Sequence, residues 1–213
     1  MNGIIGRKLG MTRVFDADGR ATPVTVIEAG PCPVVRVRTR EDGRVAVQIG
    51  FGARKAKHAS RAMVAHAKGA GLEAAPRVLR ELSLAPGAES PKTGDVVTVA
   101  LFQPGELVKV AGITKGRGFQ GVVHRYHFAG GPATHGSTRH RKPGSISPGT
   151  DPSRVIKGKR LPGHMGAELH TEVGLTVVKI DAERHLLFVE GAVPGPKQGT
   201  VVVRKQAGRS RYA

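Results

Sequence analysis

Between Glu106 and Asp151 the chain carries no acidic side chain. That gap is filled by Lys109, Lys115, Arg117, Arg125, Arg139, Arg141 and Lys142, with His124, His127, His135 and His140 among them. Widened to 113–171, the stretch sets ten Lys and Arg against two acids, Asp151 and Glu168, and it is dense in Gly and Pro. A segment so poor in aliphatic side chains cannot bury enough apolar surface to offset the entropy of ordering it. A long loop without elements of its own is unusual in a compact domain, and is either functional or disordered. The expectation is therefore an extension that leaves a folded body and becomes ordered against something else.

The charge narrows what that something is. The 213 residues hold 34 Lys and Arg and 16 Asp and Glu, a net charge of +18. Like charges oppose compaction, and a polyanionic partner offsets the repulsion. Nucleic acid is the first candidate and an anionic membrane surface the second. The membrane reading is the weaker, because apolar runs such as 96–102 are far too short to span a bilayer. The N-terminal Met1-Asn2-Gly3-Ile4-Ile5-Gly6-Arg7-Lys8 shows no signal-peptide pattern. The single Cys32 cannot form an internal disulfide, which fits a reducing compartment. Beside Pro31 and Pro33 it reads as a small core residue.

The flanks of the basic stretch read as β structure. Segments 21–28, 34–40, 45–51, 96–101, 106–110, 175–180, 185–190 and 200–204 are short and rich in Val, Ile, Thr or Leu. Turns follow at Glu41-Asp42-Gly43, Gln103-Pro104-Gly105 and Asp181-Ala182-Glu183-Arg184. The alanine-rich 60–68 predicts a short helix, within a helical insert near 60–82. Many short strands and little helix predict a mainly β protein with minor α: a small β-barrel over 1–112 and 172–205. The basic extension is 113–171 and a basic tail is 206–213. Arg204, Lys205, Arg209 and Arg211 make the C-terminal end either a second contact or a solvated, frayed terminus.

Three sharper readings fail on their own terms. Gly116-Arg117-Gly118-Phe119-Gln120-Gly121 matches a dinucleotide-binding glycine pattern, but the acid needed about 20 residues on is missing. Small residues that let backbone approach phosphates, with Lys115 and Arg117 beside them, explain it better. The four histidines lack nearby thiols, and no acid orients their rings, so no metal is implied. Ser137, His140 and Asp151 lie on a glycine-rich loop without a rigid scaffold, so a catalytic triad is rejected, and no cofactor is implied. Phe119, Tyr126 and Phe128 interleave with the cations. They either stack on unpaired bases, which suits folded RNA, or pack at the base of the loop. A nucleic-acid chaperone or DNA-compacting protein is the competing class, but it needs no single long basic extension.

The ordered set of motifs resembles the large-subunit ribosomal protein L-three family of bacterial type. Its start is similar to Gly3-Ile4-Ile5-Gly6-Arg7-Lys8-Leu9-Gly10-Met11-Thr12. Further matches are Val47-Gln48-Ile49-Gly50-Phe51, Lys115-Gly116-Arg117-Gly118-Phe119, and 130–137 with His140-Arg141. Pro143-Gly144-Ser145-Ile146, 154–160 and Gly191-Ala192-Val193-Pro194-Gly195 complete the set. The resemblance implies a translation-protein-type barrel and an extension threading through 23S-type ribosomal RNA toward the peptidyl transferase centre. It implies a structural, non-enzymatic role in cytoplasmic ribosomes and in early assembly near the RNA 3′ end, beside proteins L-fourteen and L-nineteen. The expected RNA-binding residues fall into four groups. Lys115 and Arg117 flank the glycine run. Phe119, Arg125, Tyr126 and His127 follow it. His135, Arg139, His140, Arg141 and Lys142 form the tip, and Arg154, Lys157, Lys159 and Arg160 the return limb. Two departures stand out. Family members with a methylated glutamine carry a Gly-Gln-Asn-Gln-like run where this chain has Ser147-Pro148-Gly149-Thr150. Pro162 precedes Gly163-His164-Met165-Gly166, where proline fixes φ and removes a donor.

Overall fold

The structure, a computed structural model, describes residues 1–16, 18–39, 41, 43–84 and 90–206. The chain divides into two compact units, 1–113 with 169–213, and 114–168.

The first unit holds a closed antiparallel barrel. Its strands are β1 (Gly3–Phe15), β2 (Ala21–Ala29), β7 (Leu107–Ile113), β10 (Leu169–Asp181), β11 (Leu186–Glu190) and β12 (Thr200–Lys205). They run in the order β1-β12-β7-β10-β11-β2. Closure removes the exposed edges that would otherwise invite pairing with other chains. The alternation in sequence becomes the inside of the barrel: Val108 and Val110 of β7, Leu187 and Val189 of β11, and Val201 and Val203 of β12 are all buried. Ile4 faces Val203 in the β1/β12 register and is fully buried. Where β1 meets β2, a Cβ on Gly6 would lie 2.7 Å from both Glu28 O and Ile27 Cγ2, so only glycine permits that approach.

A second sheet packs into the same core, in the order β5-β4-β3-β6. It comprises β3 (Cys32–Thr39), β4 (Val45–Ala53), β5 (Pro76–Ser83) and β6 (Val96–Val97). Cys32 is buried there, and its Sγ donates to Ile5 O at 3.3 Å. Burial pushes its thiol up to about 12. Between β4 and β5 lie a 3-10 turn (Ala56–His58) and the helix α1 (Arg61–Lys68).

Several sequence expectations are corrected. The helical insert near 60–82 is helical only over Arg61–Lys68, and Pro76–Ser83 is a strand because it pairs along β4 from Ala46↔Ser83 to Ala53↔Pro76. The expected strand 96–101 is two residues of strand followed by a 3-10 turn, Val99–Leu101. β1 lies outside the strands that the aliphatic pattern predicts, because its glycines and cations mask a run whose first half is buried. β7 runs on to Ile113 and β10 starts at Leu169, so the barrel reaches further into the basic stretch than the aliphatic pattern suggested. Arg40 and Asp42 of the first expected hairpin, and Arg209 and Arg211 of the tail, lie outside the described residues. Lys205 is not a free tail charge: its Nζ pairs with Glu106 at 3.0 Å.

Candidate nucleic-acid interface

Residues 114–168 are not structureless, contrary to expectation. The neck is closed by Thr114 and Glu168: Thr114 N–H donates to Glu168 O at 2.9 Å, and Glu168 N–H donates to Thr114 Oγ1 at 3.3 Å. With the two residues 54 apart, no local signal in the sequence reveals this pairing. A two-stranded ribbon follows, β8 (Gly118–Gln120) against β9 (Gly163–Met165), with Phe119 opposite His164. Phe119 is 77 % exposed, so it is a presented ring and not a core residue. Lys115 and Arg117 precede it, both exposed, and Arg117 N–H is held by Met165 O at 2.9 Å.

The helix α2 (Val122–Tyr126) ends at His127, which takes the left-handed conformation at φ 60° and donates its N–H to Val123 O. Here the structure gathers residues that the sequence only set in a row. The Arg125 guanidinium lies 5.0 Å and that of Arg160 5.7 Å from the centre of the Tyr126 ring. Phe128 sits 6.5 Å from the same ring. Arg125 Nη1 also donates to Leu161 O at 3.0 Å. Arg125 thus ties the return limb to α2, and its charge is partly engaged inside the unit. Tyr126 is half-buried in the same cluster, as the packing alternative for the aromatics has it.

At the tip, two limbs run against each other. Gly131 N–H donates to His140 O at 3.1 Å, and His140 Nδ1 lies 3.1 Å from Pro132 O. A Cβ on Gly130 would collide with His140 O, and one on Gly131 with Arg139 O. His135 sits at φ 59° in the turn between the limbs. Ser137 Oγ accepts from Arg139 N–H, so both Ser137 and His140 bond to nearby backbone. Beyond the crossing, Arg139, Lys142, Pro143, Gly144 and Ser145 line an open hollow of about 510 Å³. Every residue from 138 to 160 is exposed, among them Arg141, Arg154, Lys157 and Lys159. Among the described residues, none of the ten lysines and arginines of this unit pairs with a carboxylate. Also among the described residues, no three His, Cys, Asp or Glu side chains are placed to hold a metal ion, and no helix is long and apolar enough to cross a membrane. What this arrangement offers is unpaired cations beside glycine backbone, which suits phosphate contact.

A family model described as Ribosomal protein L3 matches residues 88–185. A large ribosomal subunit protein uL3 of Dehalococcoides mccartyi is 50 % identical over 207 residues, covering 96 % of this chain and 98 % of that protein. The uL3 protein of Herpetosiphon aurantiacus is 51 % identical over 209 residues, covering 97 % of each. The chain belongs to the ribosomal protein L3 family. The uL3 protein of Gloeobacter violaceus, 50 % identical over 212 residues, covers 98 % of each chain. The likeness to this family therefore extends over both compact units.

Proposed function

We propose that the chain is a structural constituent of the large ribosomal subunit, working in cytoplasmic ribosomes without chemistry of its own. Residues 114–168 are the part that enters 23S-type ribosomal RNA. One observation carries this reading: an unbroken exposed stretch, 138–160, holds Arg139, Arg141, Lys142, Arg154, Lys157, Lys159 and Arg160 with no described carboxylate paired to any of them. Such a surface is costly to leave in water beside like charges, and is stabilised where phosphates neutralise it. The near-full-length identity to proteins named as large-subunit components supports the same assignment.

The finer reading follows from the family resemblance. The unit contacts RNA near its 3′ end, supports early assembly, and carries its tip toward the peptidyl transferase centre. Proteins L-fourteen and L-nineteen are its expected neighbours. In this reading Lys115, Arg117 and the return-limb cations neutralise phosphates, while exposed Phe119 stacks on an unpaired base. Sedimentation of cell extract tests the assignment. A tagged copy should follow the large subunit stoichiometrically at moderate salt, and a copy that stays at the top of the gradient or spreads over bulk nucleic acid would overturn it.

A further inference from the structure

A second acid-free stretch lies in the other compact unit. Between Asp42 and Glu73 there is no acid, while Arg54, Lys55, Lys57, His58, Arg61 and Lys68 stand close together. They lie in the link that joins β4 to β5: Arg54 and Lys55 just before the 3-10 turn Ala56–His58, Lys57 and His58 within it, and Arg61 and Lys68 on the helix α1. The exposed positions of α1 are Arg61, Ala62, Ala65 and Lys68, one face at helical spacing. Arg61 and Lys68 are two turns apart, about 10 Å along the axis. Lys55, Lys57 and His58, in and just before the preceding turn, are exposed as well.

This surface is held rigidly from behind. Ala67 and Ala70 are buried. His66 Nε2 lies 2.8 Å from Gln48 Oε1 of β4, fixing α1 to the sheet. Ser60 Oγ caps the helix by accepting from Met63 N–H at 3.4 Å. Arg54 reaches His58 O at 3.5 Å and Arg77 O at 3.4 Å, bracing the turn. A merely solvated helix face gains stability from Glu–Lys pairs one turn apart. Here there are none, and among the described residues no carboxylate pairs with Lys55, Lys57, Arg61 or Lys68.

We infer that Lys55, Lys57, Arg61 and Lys68 form a second RNA-docking surface, one that grips the sugar–phosphate backbone of helical RNA. The inference rests on the RNA partner proposed above and adds a contact made by the first unit. Helical RNA is the favoured occupant because the surface has no Phe, Tyr or Trp to stack on unpaired bases. Its recognition is by charge, indifferent to sequence and steeply sensitive to salt.

The test uses the full chain, an RNA duplex of about 16 base pairs and filter binding across a salt series. Lys55→Gln, Lys57→Gln, Arg61→Gln and Lys68→Gln together remove four cations. The log–log salt slope should become shallower by about 3, at about 0.7–0.9 per contact, with affinity down about tenfold or more. Thermal unfolding should not move, since all four side chains are exposed. The charge-keeping Lys55→Arg, Lys57→Arg, Lys68→Arg variant should retain the slope. Independently of any variant, amine acylation of the unaltered chain should slow at Lys55, Lys57 and Lys68 when the duplex is added. An unchanged slope in a folded Gln variant, or undiminished acylation, overturns the inference. A chain that follows the large subunit yet gives either result keeps its proposed function and loses this surface. A chain that protects these lysines but stays off the large subunit keeps the surface and loses that function.

Discussion

Cys32 shows how far a single side chain is governed by its burial. It is fully enclosed in the core, hydrogen-bonded to Ile5 O, and its thiol is pushed up to about 12. Only the thiolate reacts readily, so the native protein should resist thiol reagents at pH 8 and label fully once denatured. Labelling of the native chain at the rate of a free thiol would contradict the buried placement. The sign of the pH effect follows as well. The unfolded thiol ionises near 9.0 and the folded one near 12, so this contribution to stability is intact below pH 9 and is lost as pH rises toward 12. At the tip, Arg141 is exposed and unpaired, so Arg141→Ala should leave subunit profiles on sucrose gradients intact. Its effect should appear in substrate accommodation or in sensitivity to drugs bound at the RNA catalytic centre. Loss of large subunits from this one substitution would move Arg141 from tuning to assembly. The chemistry of these positions was readable because charge without acids is a property of composition. The bond from Arg125 to Leu161 O was not, since it joins positions 36 apart with no local pattern.

The elements were legible in proportion to how local their causes are. β11 and β12 alternate buried residues with half-buried or exposed ones, and the sequence pattern predicts both within a residue or so. β5 is not legible locally, because Arg77, Leu79, Arg80, Glu81 and Leu82 suit a helix by propensity and the strand state is imposed by pairing along β4. β1 is hidden in the sequence because glycine is unfavourable in strands in general, yet Gly6 is required where β1 meets β2. Since the barrel closes through buried aliphatics, trimming one should be costly. Leu187→Ala, at a fully buried position paired with Ile27, should lower stability by about 2–5 kcal/mol in urea unfolding, with the slope unchanged. Val178→Ala, half-buried on the same barrel, serves as the contrast and should cost less. Equal losses would mean that burial at Leu187 is not what closes the barrel.

At the scale of the whole molecule, the two compact units divide the charge and the core between them. The core cluster is drawn entirely from 1–113 and 169–213, while 114–168 contributes ten cations and two acids. If the first unit owns the folding energy, it should survive without the second. The register makes that experiment clean, because Ile113 of β7 and Leu169 of β10 are direct antiparallel partners. A two-residue Asn-Gly turn can join such partners without disturbing the pairs below them, His170↔Gly112 and Thr171↔Ala111. The shortened chain should keep all six barrel strands and unfold cooperatively, and its amide exchange in β7, β10 and β12 should remain slow. In the full-length protein without RNA, amides over 138–160 should exchange fast, since every residue there is exposed. The shortened chain should nevertheless bind ribosomal RNA more weakly, with a salt slope shallower by several units. Cells carrying it as their only copy should accumulate large-subunit precursors, whereas Arg141→Ala cells should not. Normal subunits and normal peptide transfer from the shortened chain would show that 114–168 is dispensable. Loss of the folded barrel would show instead that the second unit carries folding energy that its exposed, unpaired surface does not account for.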